Sequence, residues 1–219
     1  MSSNFAVEDR NRVRRAAKRG VYDRDSVFQV IDAAWIGHIG FHDQQHGVTV
    51  IPMMHARSND QLIFHGATTS RLMQHLGSGI PISVSFGMVD GLVLAKSLFH
   101  HSMNYRSAVV FGTGRISQDP AERMSALKAI SDKVMPGRWD DARQPNDQEL
   151  KATAIVLLTI ETTSAKIRSG DPIDAQEDLQ LPCWSGVLPM HRQHLVAEAD
   201  KHSQNIPLPD YLQAWATAE

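Results

Sequence analysis

Residues 35–65 read WIGHIGFHDQQHGVTVIPMMHARSNDQLIFH, and this stretch decides the fold class. Residues 35–41, 48–56 and 61–65 are rich in apolar, β-branched and aromatic side chains, and polar segments at 42–47 and 58–60 separate them. Strand, turn, strand, turn and strand in about thirty residues predict two successive hairpins, hence an antiparallel meander.

The flanking sequence extends that reading. On the N-terminal side, Asp25 or Ser26 can cap a helix that carries Val27, Val30, Ile31 and Ala34 on one face. On the C-terminal side, Thr68, Thr69 and Ser70 precede a short helix over 71–76, with Gly77 as its stop. Residues 81–86 and 91–98 read as strands, or as one long strand bent at 89–91, and 108–116 as another. Asp119-Pro120 opens a helix over 121–134, and Pro136-Gly137 closes it. Asn146 and Glu149 have the spacing of a capping box, and residues 154–167 form the last long strand. Beyond Ser169, proline and polar residues predict an extended tail. Strands in runs, rather than alternating with helices, indicate α+β, and about six antiparallel strands suggest a small barrel with helices at its ends.

Composition narrows the function classes. The 219 residues are long enough for one compact domain with tails, and the single Cys183 excludes an internal disulfide or a Cys-rich zinc site. No apolar run approaches a membrane span. The net charge of -2 hides six basic residues and no acid between Arg10 and Arg19. Following Glu8 and Asp9, that segment reads as a solvated helix resting on Val13, Ala16 and Ala17, with neither nucleic acid nor membrane as its partner. With no secretory signal at the start, the expected location is cytoplasmic.

Two stretches hold chemistry. In Gly66-Ala67-Thr68-Thr69-Ser70-Arg71, three hydroxyls and a guanidinium suit a phosphate monoester, although they equally suit a helix cap and a solvated arginine. His100-His101-Ser102-Met103-Asn104-Tyr105-Arg106-Ser107 is a polar run leading into a buried strand, which can deliver ligand contacts or be an ordinary loop. His38, His42 and His46 flank a turn and diverge, so no metal site is expected. The dinucleotide fingerprint and the P-loop are both missing.

These pieces, in this order, resemble the FMN-binding split-barrel family of pyridoxamine 5'-phosphate oxidase, and within it the flavin-nucleotide-binding and nitroimidazole-resistance branch. The residues that carry the resemblance are Arg19-Gly20-Val21-Tyr22-Asp23-Arg24, Gly37-His38-Ile39-Gly40-Phe41 and Val50-Ile51-Pro52-Met53-Met54-His55-Ala56-Arg57. They continue through the Gly66 to Arg71 stretch, Asp90-Gly91-Leu92-Val93-Leu94-Ala95, the His100 to Ser107 run and Trp184-Ser185-Gly186-Val187-Leu188-Pro189. The resemblance implies a six-stranded antiparallel split β-barrel with peripheral helices, forming a homodimer with FMN in each interface cleft. It divides the chain into a basic N-terminal helical arm (1–24), the FMN-binding domain (25–190) and a C-terminal tail (191–219).

Carried over by position, the backbone at Pro52, Met53, Met54 and His55 lines the flavin ring, and His65 and Gly66 continue that wall. Thr69, Ser70 and Arg71 hold the phosphate. Asn104, Tyr105 and Ser107 complete the site, some of them from the partner subunit, and Trp184 approaches the ring. The implied function is an FMN-dependent oxidoreductase that takes electrons from NADH or NADPH and reduces a small electrophile such as a nitroaromatic, with His55 as proton donor. The alternatives are a non-catalytic flavin carrier and a haem-binding split barrel with His38, His55, His65 or His101 as ligand. Two departures separate the chain from the oxidase itself: Leu72 replaces a basic residue after the phosphate arginine, and the C-terminal Arg-x-His element has no clear equivalent.

Overall fold

The computed structural model describes residues 4–216. In chain order the elements are β1 (Gly20–Val21), α1 (Arg24–Ala33), β2 (Ile36–Asp43), β3 (Gly47–Met54), β4 (Ala56–Ser58), β5 (Gln61–Ala67) and α2 (Arg71–Leu76). There follow β6 (Ser78–Leu94), β7 (Ser102–Ile116), α3 (Pro120–Val134), α4 (Arg138–Asp141), α5 (Asp147–Ala152), β8 (Thr153–Arg168), β9 (Gly186–Pro189) and α6 (Asp210–Ala216). Among the described residues no helix is long and apolar enough to cross a membrane.

All strand pairings are antiparallel, in the order β3-β2-β6-β7-β8-β5-β4, with β1 added to β8 and β9 to β6. The two ends of that path do not pair, so the barrel is split between β3 and the β4–β5 hairpin. Six long strands make up the barrel, and the α+β split-barrel expectation holds. The segments 81–86 and 91–94 belong to one long strand, β6, whose register shifts between Val89 and Gly91; it ends at Leu94, short of the expected 98, where a 3-10 turn begins.

The burial pattern explains the architecture. Strand β8 is buried on both faces, which is why it reads as a continuous apolar run. One face joins Ile39, Leu62, Phe64, Val84, Phe86 and Val110 in the main core, which α1 supplements with Val27 and Ile31 and α2 with Met73 and Leu76. The other face, with Ile155 and Leu157, joins Ala56 and Ile63 under Ala126 and Ile130 of α3.

Caps set the helix boundaries. The cap of α1 is Asp23, two residues before the earlier of the two positions expected, and its carboxylate accepts from the Ser26 N–H at 2.9 Å. The capping box of α5 is complete, with both Asn146–Glu149 hydrogen bonds at 2.9 Å.

The basic arm departs from expectation. Residues 10–16 are not helical, and only a single 3-10 turn, Ala17–Arg19, forms. The cause is Asn11, which is buried and whose amide donates to the Ala6 carbonyl, the Thr162 hydroxyl and the Thr163 carbonyl. Satisfying that amide stitches an extended chain onto β8, while Ala16 takes a left-handed conformation. Val13 is half-buried, whereas Ala16 and Ala17 face solvent.

Candidate functional site

The split brings β3 and β5 side by side without a ladder between them. Gly66 makes room for Met73 of α2, since a Cβ there would sit 2.9 Å from the Met73 side chain, and Met53 Cε of β3 lies within 3.8 Å of the same point. Alternation along β5 turns Leu62 and Phe64 into the barrel and Ile63 and His65 outward, where Met54 of β3 also packs. Pro52 is exposed on the same edge strand. Of the expected ring-wall residues, Met53 and Gly66 meet across the split, while Met53 packs on the main core and Met54 on the second cluster.

The chain leaves β5 at Ala67, turns through Thr68 and Thr69, and enters α2 at Ser70, whose hydroxyl accepts from the Met73 N–H at 3.5 Å. Thr68 and Thr69 are exposed, and the Thr68 N–H is tied to the Ala152 carbonyl at 2.9 Å. The next residue, Arg71, is also exposed. Its Nη1 lies 3.3 Å from both ring nitrogens of His46, and His46 Nδ1 lies 2.9 Å from Asp43 Oδ1. Asp43 also accepts the backbone N–H groups of Gln45 and His46, and the His46 ring, followed by these N–H groups, holds its carboxyl far below the usual range. Among the described residues no carboxylate lies within ion-pair distance of Arg71. Its guanidinium is exposed, with the His46 ring beside it. Sequence reading took His46 only as a weak metal candidate; the Asp-x-x-His spacing of a hairpin turn was the signal, but its neighbour lies 25 residues on.

His55 sits elsewhere. Its ring is 1% exposed, 4.6 Å from the Phe86 ring, and Nε2 donates to the Ile31 carbonyl at 3.0 Å. Burial, reinforced by Lys133 and opposed by the Ile31 bond and Asp32, lowers its pKa to about 4. A neutral imidazole sealed between α1 and the sheet packs the core, and this placement argues against the proton-donor role. His65 is different. It is half-buried, burial lowers its pKa, and neither ring nitrogen has a partner among the described residues; its Nδ1 is an orphaned buried atom, as is that of His55.

The remaining expected residues cluster at the other end of the barrel. Asn104 lies opposite Gly91 on β6, and its side-chain oxygen accepts from Arg168. Tyr105 is half-buried beside it, and the Ser107 hydroxyl donates to the Lys166 carbonyl. Trp184, 65% exposed, packs on Gly186 at the start of β9, next to the same end of β6. The opposite end of β7 abuts α2, where Ile116 fills the space beside Gly77. Twelve residues of extended strand separate Asn104 from Ile116, roughly 40 Å. Within one chain, then, Arg71 and the Asn104–Trp184 group are not brought together.

The chain is similar over 95% of its length to the flavocytochrome Anf3 from Azotobacter vinelandii, at 31% identity and a TM-score of 0.87, covering 97% of that chain. It is also similar to the FAD and haem binding protein from Mycobacterium smegmatis, at 31% identity and a TM-score of 0.84, covering 90% of this chain and 97% of that one. A candidate 5-nitroimidazole antibiotic resistance protein from Bacteroides thetaiotaomicron shares the fold at 19% identity and a TM-score of 0.56, over 68% of this chain and 86% of that one. No curated protein matches the sequence. The family profile described as pyridoxamine 5'-phosphate oxidase matches residues 23–167, and the chain belongs to that family.

Proposed function

We propose that this protein is a flavin-dependent oxidoreductase that works as a homodimer, with the flavin ring against the split and its phosphate on Arg71. The observation that carries this reading is the outward guanidinium of Arg71, braced by His46 and unpaired with any carboxylate among the described residues. Such a fork offers two parallel charge-assisted bonds to a phosphate. The placement of Arg71 and Asn104 toward opposite ends of β7 supports the dimer, because a flavin touching both groups draws the second from the partner.

A bound flavin supplies one- and two-electron transfer; the protein supplies binding, orientation and electrostatics. In this reading Arg71 fixes the phosphate, His46 fixes Arg71, and the β3 backbone at 52–54 with Gly66 shapes the wall for the ring. A nicotinamide dinucleotide is the proposed electron donor and a small electrophile the proposed acceptor. His46 is a positioning residue: His46→Ala weakens flavin binding about fivefold, since Arg71 keeps its charge and loses only its brace. His46→Gln, which keeps an acceptor near the Nε2 position, restores most of the loss.

A haem partner for the flavin is the second reading, favoured by His65 and by the names of the two relatives at 31% identity. Of the four histidines named from sequence, His55 gives Nε2 to the Ile31 carbonyl, His101 pairs Nε2 with the Ala95 carbonyl, and His38 is exposed on β2. His65 retains both nitrogens at the lip of the split and is held neutral, as an axial ligand requires. The test is the absorption spectrum of the purified chain titrated with flavin and then haem. Flavin bands that shift and lose fluorescence support the enzyme reading, and absence of flavin uptake refutes it. A Soret band that weakens at least about tenfold in His65→Ala, with flavin uptake intact, supports the haem reading; an unchanged band removes His65 as ligand.

A further inference from the structure

Between α3 and α5 lies a cavity of about 590 Å³. That is within the range of about 300–1,000 Å³ typical of small-molecule sites. Met124 and Leu150 give it apolar walls, and Thr68, Gln118, Asp147 and Lys151 give it polar ones. The frame is fixed in advance. Arg123 of α3 donates to the carbonyls of Ser117, Leu150 and Thr153, binding α3 to the end of α5 and the start of β8. The Thr68 N–H to Ala152 carbonyl bond ties the phosphate loop to the same wall. Neither Asp147 nor Lys151 forms an ion pair among the described residues.

The position matters as much as the lining. Thr68 is shared by the cavity wall and the loop leading to Arg71, three residues on, a reach of at most about 10 Å. A ligand whose first phosphate sits on Arg71 and continues past Thr68 enters this cavity. We propose that it receives the adenosine half of a flavin dinucleotide, which deepens the flavin reading above and rests on it. Lys151 faces the second phosphate, the Asp147 carboxylate accepts from the ribose hydroxyls, and the adenine lies on Met124 and Leu150, with Gln118 at its polar edge. The site thereby selects FAD over FMN.

The full chain, stripped of bound flavin, is titrated with FAD and separately with FMN by quenching of flavin fluorescence. The unaltered protein is expected to bind FAD at least about tenfold more tightly than FMN. Met124→Trp, which fills the cavity, and Lys151→Glu, an exposed change that leaves packing alone, each reduce FAD affinity about tenfold and leave FMN affinity within about twofold. Equal affinity for both flavins in the unaltered chain, or a parallel loss of both in Lys151→Glu, overturns the assignment while leaving the flavin reading in place. If the FMN-loaded protein instead binds NADH and loses it in both variants, the adenosine held there is that of the electron donor, and the flavin assignment is again overturned. Failure of both flavins to bind the unaltered chain overturns the flavin reading itself.

Discussion

Replacing Arg71 by alanine lowers flavin affinity tenfold to a hundredfold, the largest binding effect expected of any single side chain in this protein. The size follows from what is removed. Hydrogen bonds from a charged donor contribute about 1.5–3 kcal/mol, about twice a neutral one, and the Arg71 charge has no carboxylate among the described residues to offset it. Stability is barely affected, because Arg71 is exposed and outside both core clusters. Arg71→Lys recovers part of the loss, since a point charge remains but the two-pronged geometry does not. Titration of FAD and FMN into the three proteins, with thermal melts alongside, checks this. Unchanged affinity in Arg71→Ala would sink the phosphate assignment.

Acidification from pH 7 to pH 4 is expected to cost about 3 kcal/mol of stability through His55 alone. The ring has a pKa of about 4 in the folded protein because it is enclosed by Phe86 and α1, against about 6.5 when the chain is open. Since the folded value is the lower one, the unfolded chain takes up the proton first. The contribution of the neutral ring is complete above about pH 6.5, declines as the pH falls below it, and levels off below about pH 4. Chemical denaturation of the unaltered protein and of His55→Leu at pH 7, 5.5 and 4 measures it. His55→Leu is less stable at neutral pH, and the gap closes as the pH falls. Two proteins whose stability falls in parallel would mean that His55 is not the group titrating.

How much of this was legible in the sequence differs between fold and site. Period-two alternation in residues 35–65 and the dense Val, Ile and Thr of 154–167 dictate strands, because a half-buried or fully buried pleat accepts little else. The capping box at Asn146 is equally local, needing only three residues of separation. The arm failed for the opposite reason. Its arginines suggest a solvated helix, but Asn11 finds two partners about 150 residues away and holds the chain extended.

The site divides along the same line. Neighbours in sequence, Ser70 with Arg71 and Met53 with Met54, arrive together because a turn or an edge strand carries them as a unit. His46 behind Arg71 is a contact between a hairpin turn and a helix start, made only when β2 and α2 pack. His55 and His65, ten residues apart on two hairpin arms, have opposite fates: one sealed against Ile31, the other left at the open lip.

By itself, then, the sequence determined the strands, the α5 capping box, the α+β class and the Gly66 to Arg71 segment, since periodicity and short-range hydrogen bonds decide these within a few residues. The tertiary structure alone decided which histidine is buried, what braces Arg71, that Asn104 and Trp184 lie a barrel length from it, and that α3 and α5 enclose a cavity beside the phosphate loop. Those outcomes depend on desolvation and on contacts between residues tens of positions apart, and no local pattern encodes either.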